Sequence, residues 1–345
     1  MIHSGFNLDW LCRRQPGASV PDERVLDAIA GWGFNFVRLP MDYRLWSIDG
    51  DPHRPDEEVL ELIDDIVTAC CRRGLHLSLN LRRAPGDGVA GGASEPNLWA
   101  DRPAQDAFVV MWKRFALRYQ YVPRAALSFD LVNEPPAPGL RGFTPQGHEQ
   151  VIRRTVAAIR AVDPDRPVVV GGRDGGELPM PELADLEVTQ STRGYQPMSI
   201  SHHRASWQPG HERLHEPHYP EFYDGRWWDL WGLFDFYAPW RDLERLGVAV
   251  HVGEAGCYEH TPDDIAQAWF DDLLTVFSEF AWGFALKEFA GPFGVVGHRR
   301  PGAVFEYRDD FLVDVWMLER MQAAHEVASE RSEALGNAAL RTFEP

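Results

Sequence analysis

Short apolar runs alternate with amphipathic stretches along the whole chain, and this alternation predicts repeated strand and helix units. Eight apolar runs are candidate strands: residues 3–8, 34–40, 75–81, 126–134, 167–172, 187–195, 248–254 and 282–288. Eight strands with helices between them predict a closed (β/α)8 barrel of the α/β class, the TIM-barrel fold, in a single domain.

The helices between the runs have recognisable ends. The stretch 21–33 carries a proline and acidic residues in its first turn and a glycine near its end, and 55–74 repeats this pattern. Further helices are predicted at 103–120, 146–162, 262–279 and 310–328. The catalytic barrel is therefore expected to span residues 1–328.

Two stretches do not fit the repeating pattern. Residues 203–240 are rich in Trp, His, Pro and Tyr, and they form a connection too long for an ordinary loop. Residues 329–345 are expected to form an irregular C-terminal tail.

Polar and ionisable residues gather where the apolar runs end. Such positions are Arg38, Asn80, Arg82, Asn133, Glu134, Tyr195, Glu254, Lys287 and Glu288. In a parallel barrel the loops that follow the strands converge at this face, and catalysis is expected there. Glu134 and Glu254 matter most, because a carboxylate beside a buried strand costs free energy unless it has a partner or a function.

The bulk composition excludes several classes of partner. The chain has 345 residues, with 52 acidic and 34 basic side chains and a net charge of −18, which argues against nucleic acid or an anionic membrane surface. No apolar stretch approaches the roughly 20 residues that span a bilayer. The chain opens without a recognisable secretion signal, and its four cysteines show no metal-binding spacing. These features predict a soluble cytoplasmic protein with reduced thiols and a small-molecule substrate.

Several motifs, taken in order, resemble a known family. "LVNEPP" (131–136) and "HVGEAGCY" (251–258) resemble the clan of retaining glycoside hydrolases whose two glutamates end strands four and seven, and family 5, the cellulase-like barrels, in particular. The likeness extends through "GFNLDWL" (5–11), "FVRLPMDY" (36–43), "LNLRRAPG" (79–86), "QSTRGYQPMSISHHRASW" (190–207) and "GPFGVV" (291–296).

The resemblance implies a retaining β-glycosidase, a hydrolase of O-glycosyl bonds, that needs no metal and no cofactor. It makes Glu134 the general acid/base and Glu254 the nucleophile. Retaining hydrolysis requires this division of labour, because one carboxyl group must give a proton to the leaving group while the other attacks as a carboxylate.

The resemblance also implies four helper residues. Asn133 would hold the sugar 2-hydroxyl group, and Arg38 would lie beneath the nucleophile and keep it ionised. Tyr195 would lie beside the nucleophile, and His202 would reach toward the acid/base.

Three positions depart from the family pattern. Arg82 stands where the third-strand motif usually has a sugar-contacting histidine, and Lys287 and Glu288 replace an expected tryptophan and asparagine. Two cations near one subsite could recognise a carboxylate, sulfate or phosphate group on the substrate. Alternatively, Lys287 pairs with Glu288 or another acid, and the subsite is merely remodelled.

The sequence therefore favours hydrolysis, or transglycosylation, of a small glycoside or glycoconjugate. One alternative is a pseudo-glycosidase that only binds a saccharide. Another is a zinc hydrolase, since "HERLH" (211–215) matches the H-E-x-x-H pattern, but Pro209, Gly210 and Pro217 interrupt the helix that this motif requires. The sugar, its linkage, the aglycone and the oligomeric state stay open.

Overall fold

Eight parallel strands close into a barrel in the computed structural model, which describes residues 2–12, 22–87, 96–208 and 215–341, with the side chains of the last helix described through residue 335. The strands are β1 (Gly5–Asn7), β2 (Phe36–Asp42), β3 (His76–Arg83), β4 (Leu127–Asp130), β5 (Val168–Gly171), β6 (Thr189–Gly194), β7 (Val250–Ala255) and β8 (Gly283–Leu286). Each strand pairs with the next in the chain, and β8 pairs with β1. The predicted (β/α)8 barrel is confirmed, and each strand falls within or overlaps a predicted apolar run.

The longer helices cover the outside of the barrel. They are α1 (Glu23–Gly31), α2 (Glu57–Arg72), α3 (Arg102–Tyr119), α4 (Pro145–Arg160), α5 (Leu230–Glu244), α6 (Asp263–Glu279) and α7 (Val315–Arg341). Short helical turns occur at Tyr43–Leu45, Ile48–Gly50, Leu140–Gly142, Arg173–Gly176, Pro181–Leu186 and Met198–Ser201. Side chains cap several helices at their first turn: Asp22 accepts a hydrogen bond from the Arg24 amide, and Thr144 accepts one from the Gly147 amide.

Alternation along the strands separates an apolar outer set from a polar inner set. Leu77, Leu79 and Phe129 are fully buried in the hydrophobic core. The residues between them on the same strands are polar, and Ser78 and Asp130 line an internal cavity together with Arg38 of β2. The barrel interior is therefore polar, and charged side chains near the carboxyl ends of the strands have polar partners.

The described part of the long connection between β6 and β7 contains regular elements that the sequence analysis did not predict. It contains an antiparallel hairpin, Glu221–Tyr223 with Arg226–Trp228, and then helix α5. Asp229 caps α5 by accepting a hydrogen bond from the Gly232 amide. The density of aromatic residues hid the helical period, because both faces of α5 carry apolar side chains.

Two predictions for the end of the chain were wrong. Residues 310–314 belong to a second hairpin, Phe305–Arg308 with Phe311–Asp314, whose turn places Asp309 and Asp310 at positive φ. Residues 329–341 continue α7 and do not form an irregular tail, because the stretch is rich in good helix formers and extends a helix that buries Ala324 and Ala328. Within the described residues, no helix is long and apolar enough to cross a membrane.

Candidate active site

Glu254 lies at the end of β7 and is almost completely buried. Its Oε1 accepts a hydrogen bond from Arg38 Nη1 at 2.6 Å, and its Oε2 accepts one from the Tyr195 hydroxyl at 2.9 Å. Lys287 Nζ lies 3.9 Å from the same Oε2. Both carboxylate oxygens are therefore held in place by donors.

The charges around Glu254 keep it ionised. Burial alone disfavours its charge, but the nearby cations Lys287, Arg38, Arg193 and Arg82 outweigh that effect and hold the pKa of Glu254 well below its ordinary value. A carboxylate in this state is suited to act as a nucleophile.

Arg38 on β2 is the hub beneath Glu254, and its side chain is 1% exposed. Besides Glu254 it donates to Asp130 Oδ2 at 2.6 Å, to Asn7 Oδ1 at 2.9 Å and to Asn133 Oδ1 at 2.8 Å. Asn7 is itself fixed, because its Nδ2 donates to the carbonyls of Gly253 and Leu286. Arg38 thus links β2 to β1, to β7 and to the end of β4 through one planar guanidinium group.

Glu134 follows β4 with its backbone at φ 45, a left-handed conformation that non-glycine residues adopt rarely. Its Oε1 accepts a hydrogen bond from Arg193 Nε at 3.0 Å, and Arg193 Nη2 donates to Asn133 Oδ1 at 2.8 Å. Asn133 Oδ1 therefore accepts one hydrogen bond from Arg38, which also binds Glu254, and another from Arg193, which also binds Glu134. A continuous network links the two glutamates.

Sequence reasoning missed Arg193, although a signal for it exists. Arg193 precedes Tyr195 by two residues, the spacing that puts two strand side chains on the same face. The predicted residues Glu134, Asn133 and Tyr195 all lie around it.

The structure places His202 elsewhere than predicted. Its Nδ1 lies 2.9 Å from Ser201 Oγ, and its ring packs edge-on against Tyr195 and beside Phe293. These contacts are on the side of Glu254, and Arg193 provides the contact with Glu134 that we expected from His202. The difference follows from the short helix Met198–Ser201, which ends at His202 and turns its ring toward Tyr195. Burial lowers the pKa of His202 to about 4.

The two unexpected cations share an acidic partner. Lys287 Nζ lies 3.5 Å from Asp9 Oδ2, and Arg82 Nη1 lies 3.9 Å from the same oxygen. Glu288 accepts a hydrogen bond from the Phe293 amide at 2.8 Å, and burial raises its pKa. The carboxylates within 4 Å of Lys287 are therefore those of Asp9 and Glu254, so in the alternative of an ion pair with Glu288 or another acid it is the other acids that Lys287 meets.

A cleft of about 980 Å³ opens beside Glu134 and Asn133. Its described lining contains many charged residues and no Phe, Tyr or Trp: Cys12, Asp42, Arg44, Leu45, Ser47, Ile48, Asp49, Gly50, Asp56, Arg82, Arg83 and Asp87 complete it. Aromatic faces hold the apolar C–H surface of a sugar ring. This cleft instead offers hydrogen-bonding and charged groups.

The described residues contain no cluster of three or more His, Cys, Asp or Glu side chains arranged to hold a metal ion. Residues 209–214, which include most of the H-E-x-x-H match, lie outside the described residues. His215, its last member, has its Nε2 2.7 Å from Glu221 Oε2.

Comparison with known proteins identifies the family. The family model for cellulases of glycosyl hydrolase family 5 matches residues 3–282. The chain belongs to glycosyl hydrolase family 5. This family 5 chain is 24% identical to cellodextrinase A of Ruminococcus flavefaciens, over 74% of the chain and 75% of that protein. It is 29% identical to endoglucanase C of Acetivibrio thermocellus over 54% of the chain and 53% of that protein.

Solved structures resemble the family 5 chain over nearly its whole length. A crystal structure described as a glycoside hydrolase matches with a TM-score of 0.91 and 47% identity, covering 94% of the chain and 99% of that structure. A mutant form of Thermotoga maritima Cel5A in complex with cellobiose matches with a TM-score of 0.75 and 19% identity, over 93% and 96%. Membership in a clan of retaining glycosidases makes the protein an enzyme that hydrolyses glycosidic bonds.

Proposed function

We propose that this protein is a retaining β-glycoside hydrolase, or transglycosidase, in which Glu254 is the nucleophile and Glu134 the general acid/base. The observation that carries the proposal is the burial of Glu254 with a hydrogen bond to each of its carboxylate oxygens, on a network that reaches Glu134 through Asn133. A carboxylate held in this way has lost its freedom to move and keeps its charge at neutral pH.

The proposed reaction has two steps. A carboxylate oxygen of Glu254 attacks the anomeric carbon, the bond from that carbon to the leaving oxygen breaks, and the Glu134 carboxyl group gives its proton to the leaving oxygen. Glu134 then takes a proton from water, or from an acceptor hydroxyl group, as this second nucleophile displaces Glu254. Each glutamate returns to its starting state, and the anomeric configuration is retained.

We further propose that the substrate is a small glycoside or glycoconjugate that carries an anionic or strongly polar group. Arg82 and Lys287 lie near the nucleophile and share one partner, Asp9, and Lys287 also lies 3.9 Å from Glu254. The cleft beside Glu134 offers charged groups in place of aromatic faces. Both features favour a polar substrate over a plain glucan chain.

Activity on a panel of 2,4-dinitrophenyl β-glycosides tests this function. The panel should contain the neutral glucoside, xyloside and mannoside together with the glucuronide and the 6-phosphoglucoside. We expect turnover with retention of configuration on at least one anionic member, and loss of nearly all turnover in Glu254→Gln. Absence of turnover on the whole panel, with saccharide binding intact, would favour a protein that only binds sugars.

Lys287→Trp tests the substrate preference separately. If Lys287 contacts an anionic group of the substrate, the variant should weaken turnover of the anionic glycoside and improve turnover of the plain glucoside. If Lys287 serves only as the partner of Asp9 and Glu254, the variant should lower the unfolding temperature without any gain on the glucoside. A stable variant with an unchanged substrate profile would contradict both readings.

A further inference from the structure

Asp9, two residues after the end of β1, is the shared partner of the two cations near the nucleophile. Its Oδ2 lies 3.5 Å from Lys287 Nζ and 3.9 Å from Arg82 Nη1. Its Oδ1 accepts a hydrogen bond from the Cys12 thiol at 3.4 Å, and a thiol is a weak donor. A single carboxylate oxygen of the protein therefore serves both cations.

The contacts of Asp9 are much looser than those of Glu254. Arg38 donates to Glu254 at 2.6 Å, and the two side chains are 1% and 6% exposed. The Asp9 side chain is 35% exposed, and its two cations lie beyond the distance of about 2.7–3.2 Å that is normal for an N–H···O hydrogen bond. Exposed ion pairs of this kind contribute little to stability. Asp9 can therefore exchange its cations for water, whereas Glu254 is fixed.

An anionic oxygen of a ligand would form better contacts with the same cations. Lys287 carries three N–H donors and Arg82 carries five. The carboxylate oxygens paired with these cations are 3.5 to 3.9 Å away, so the donors remain available to a closer acceptor. An oxygen at about 2.8 Å would form charge-assisted hydrogen bonds, which are roughly twice as strong as neutral ones. Such an oxygen competes directly with Asp9 Oδ2.

We propose that Asp9 is a specificity-determining residue that occupies, in the free enzyme, the place of an anionic oxygen of the substrate. A carboxylate or phosphate oxygen on the sugar displaces Asp9 Oδ2 from Lys287 and Arg82, and the Asp9 side chain turns into the solvent. The exchange replaces one negative charge by another, so the cations beside Glu254 stay balanced. A neutral sugar leaves Asp9 in place. This inference rests on the proposed function, because it assigns a position to the anionic group of the proposed substrate.

Asp9→Asn tests the exchange, because it removes the charge and keeps the shape of the side chain. Dissociation constants for glucuronate, inorganic phosphate and glucose are measured by isothermal titration calorimetry at low ionic strength in wild type, Asp9→Asn and a control, Asp27→Asn. Asp27 lies on α1 and is likewise an exposed acid, 2.7 Å from Arg73.

We expect Asp9→Asn to bind glucuronate and phosphate at least about threefold more tightly than wild type, since an exposed ion pair is worth up to about fivefold in an equilibrium constant. Glucose binding should not change, and Asp27→Asn should match wild type for all three ligands. Adding Lys287→Met or Arg82→Met to Asp9→Asn should weaken phosphate binding again, which locates the effect at these two cations. If Asp9→Asn does not fold, Asp9→Ser carries the same test, because it also removes the charge.

The outcomes separate this inference from the function on which it rests. Anion affinities in Asp9→Asn that equal those of wild type or fall below them would overturn it. An equal gain for glucose would overturn it as well, because a changed charge acts on anions and not on a neutral sugar. A gain that survives both Lys287→Met and Arg82→Met would place the anion elsewhere and contradict the exchange. The titrations need no turnover, so failure of the glycoside panel would count against the proposed function while the binding constants still decide the role of Asp9.

Discussion

Replacing Lys287 with methionine should move the acidic limb of the pH–activity profile to higher pH. Lys287 Nζ lies 3.9 Å from Glu254 Oε2, and its side chain is 16% exposed. Two unit charges at this separation interact by about 4 kcal/mol at an effective dielectric constant of about 20. That energy corresponds to about three pKa units, and screening by salt together with the pairing of Lys287 to Asp9 reduces the expected change to about one to two units.

The acidic limb should move to higher pH because the Lys287 charge stabilises the ionised form of Glu254. Lys287 is among the cations that hold the pKa of Glu254 well below its ordinary value, so its removal raises that pKa. The nucleophile must be ionised, and the variant should therefore lose activity at a higher pH than wild type as the solution is acidified. At neutral pH the activity of the variant should still depend on Glu254, because Arg38 still pairs with that carboxylate.

The assay is kcat/KM for a 2,4-dinitrophenyl glycoside between pH 2 and pH 7, measured after rapid dilution from neutral stock, so that it reaches the region in which the limb of the variant is expected. This leaving group needs no proton, so the profile reports the nucleophile and not Glu134. Lys287→Arg keeps the cation and should superimpose on wild type. Coincident acidic limbs for wild type and Lys287→Met, with both proteins folded by tryptophan fluorescence, would refute the electrostatic account of Glu254.

Three further predictions concern other parts of the molecule. Glu134→Gln should retain substantially more activity on 2,4-dinitrophenyl than on methyl glycosides, and equal losses on both would contradict its assignment as acid/base. Burial lowers the pKa of His3 to about 3 and that of His251 to about 4, so between about pH 6.5 and pH 4 the unfolded chain binds protons that the folded chain does not. The free energy of unfolding should therefore fall as the pH falls, by up to about 1.4 kcal/mol per pH unit for each histidine, and urea titrations should show a shallower fall in His251→Phe. Gly253→Ala places a Cβ 2.5 Å from Ser191 Oγ and 3.0 Å from Arg193 Nη1 and should lower the free energy of unfolding by about 1 to 3 kcal/mol; an unchanged urea midpoint would contradict the close packing of β7 against these β6 side chains.

The barrel was predictable because its strands are buried on both faces. Such strands appear in the sequence as short runs in which buried apolar residues recur between small or polar ones, and an acid that ends a run stands out, as Glu134 and Glu254 do. Parallel pairing of consecutive strands then brings those ends together without any further information. The order of the elements and the face that carries the site both followed from this pattern.

The partners of the site residues were not predictable in the same way. The contact of Arg193 with Glu134 joins side chains 59 positions apart, and that of Lys287 with Asp9 depends on the closure of β8 against β1. Sequence spacing can place a residue at the barrel mouth but does not fix where its side chain turns. His202 illustrates the limit, because one short helix directs its ring toward Tyr195 and away from the expected partner.

The predictions for two segments failed for a different reason: the connection between β6 and β7, and the end of the chain. Helix α5 packs aromatic side chains on more than one face, so the period that marks an amphipathic helix was absent. The Asp309–Asp310 turn was available as a hairpin signal, since acidic residues tolerate the positive φ that such turns need. A search for turn residues between alternating strands would have found that hairpin.

Mass spectrometry of a trapped glycosyl-enzyme tests whether Glu254 is the nucleophile. The protein is incubated with 2,4-dinitrophenyl 2-deoxy-2-fluoro-β-glycosides of the sugars that it turns over, digested, and the labelled peptide sequenced. We expect one fluoroglycosyl group per chain, attached to Glu254 and released when an acceptor is added. A label on any other residue, or continued hydrolysis of the unfluorinated substrate without a trapped intermediate, would contradict it.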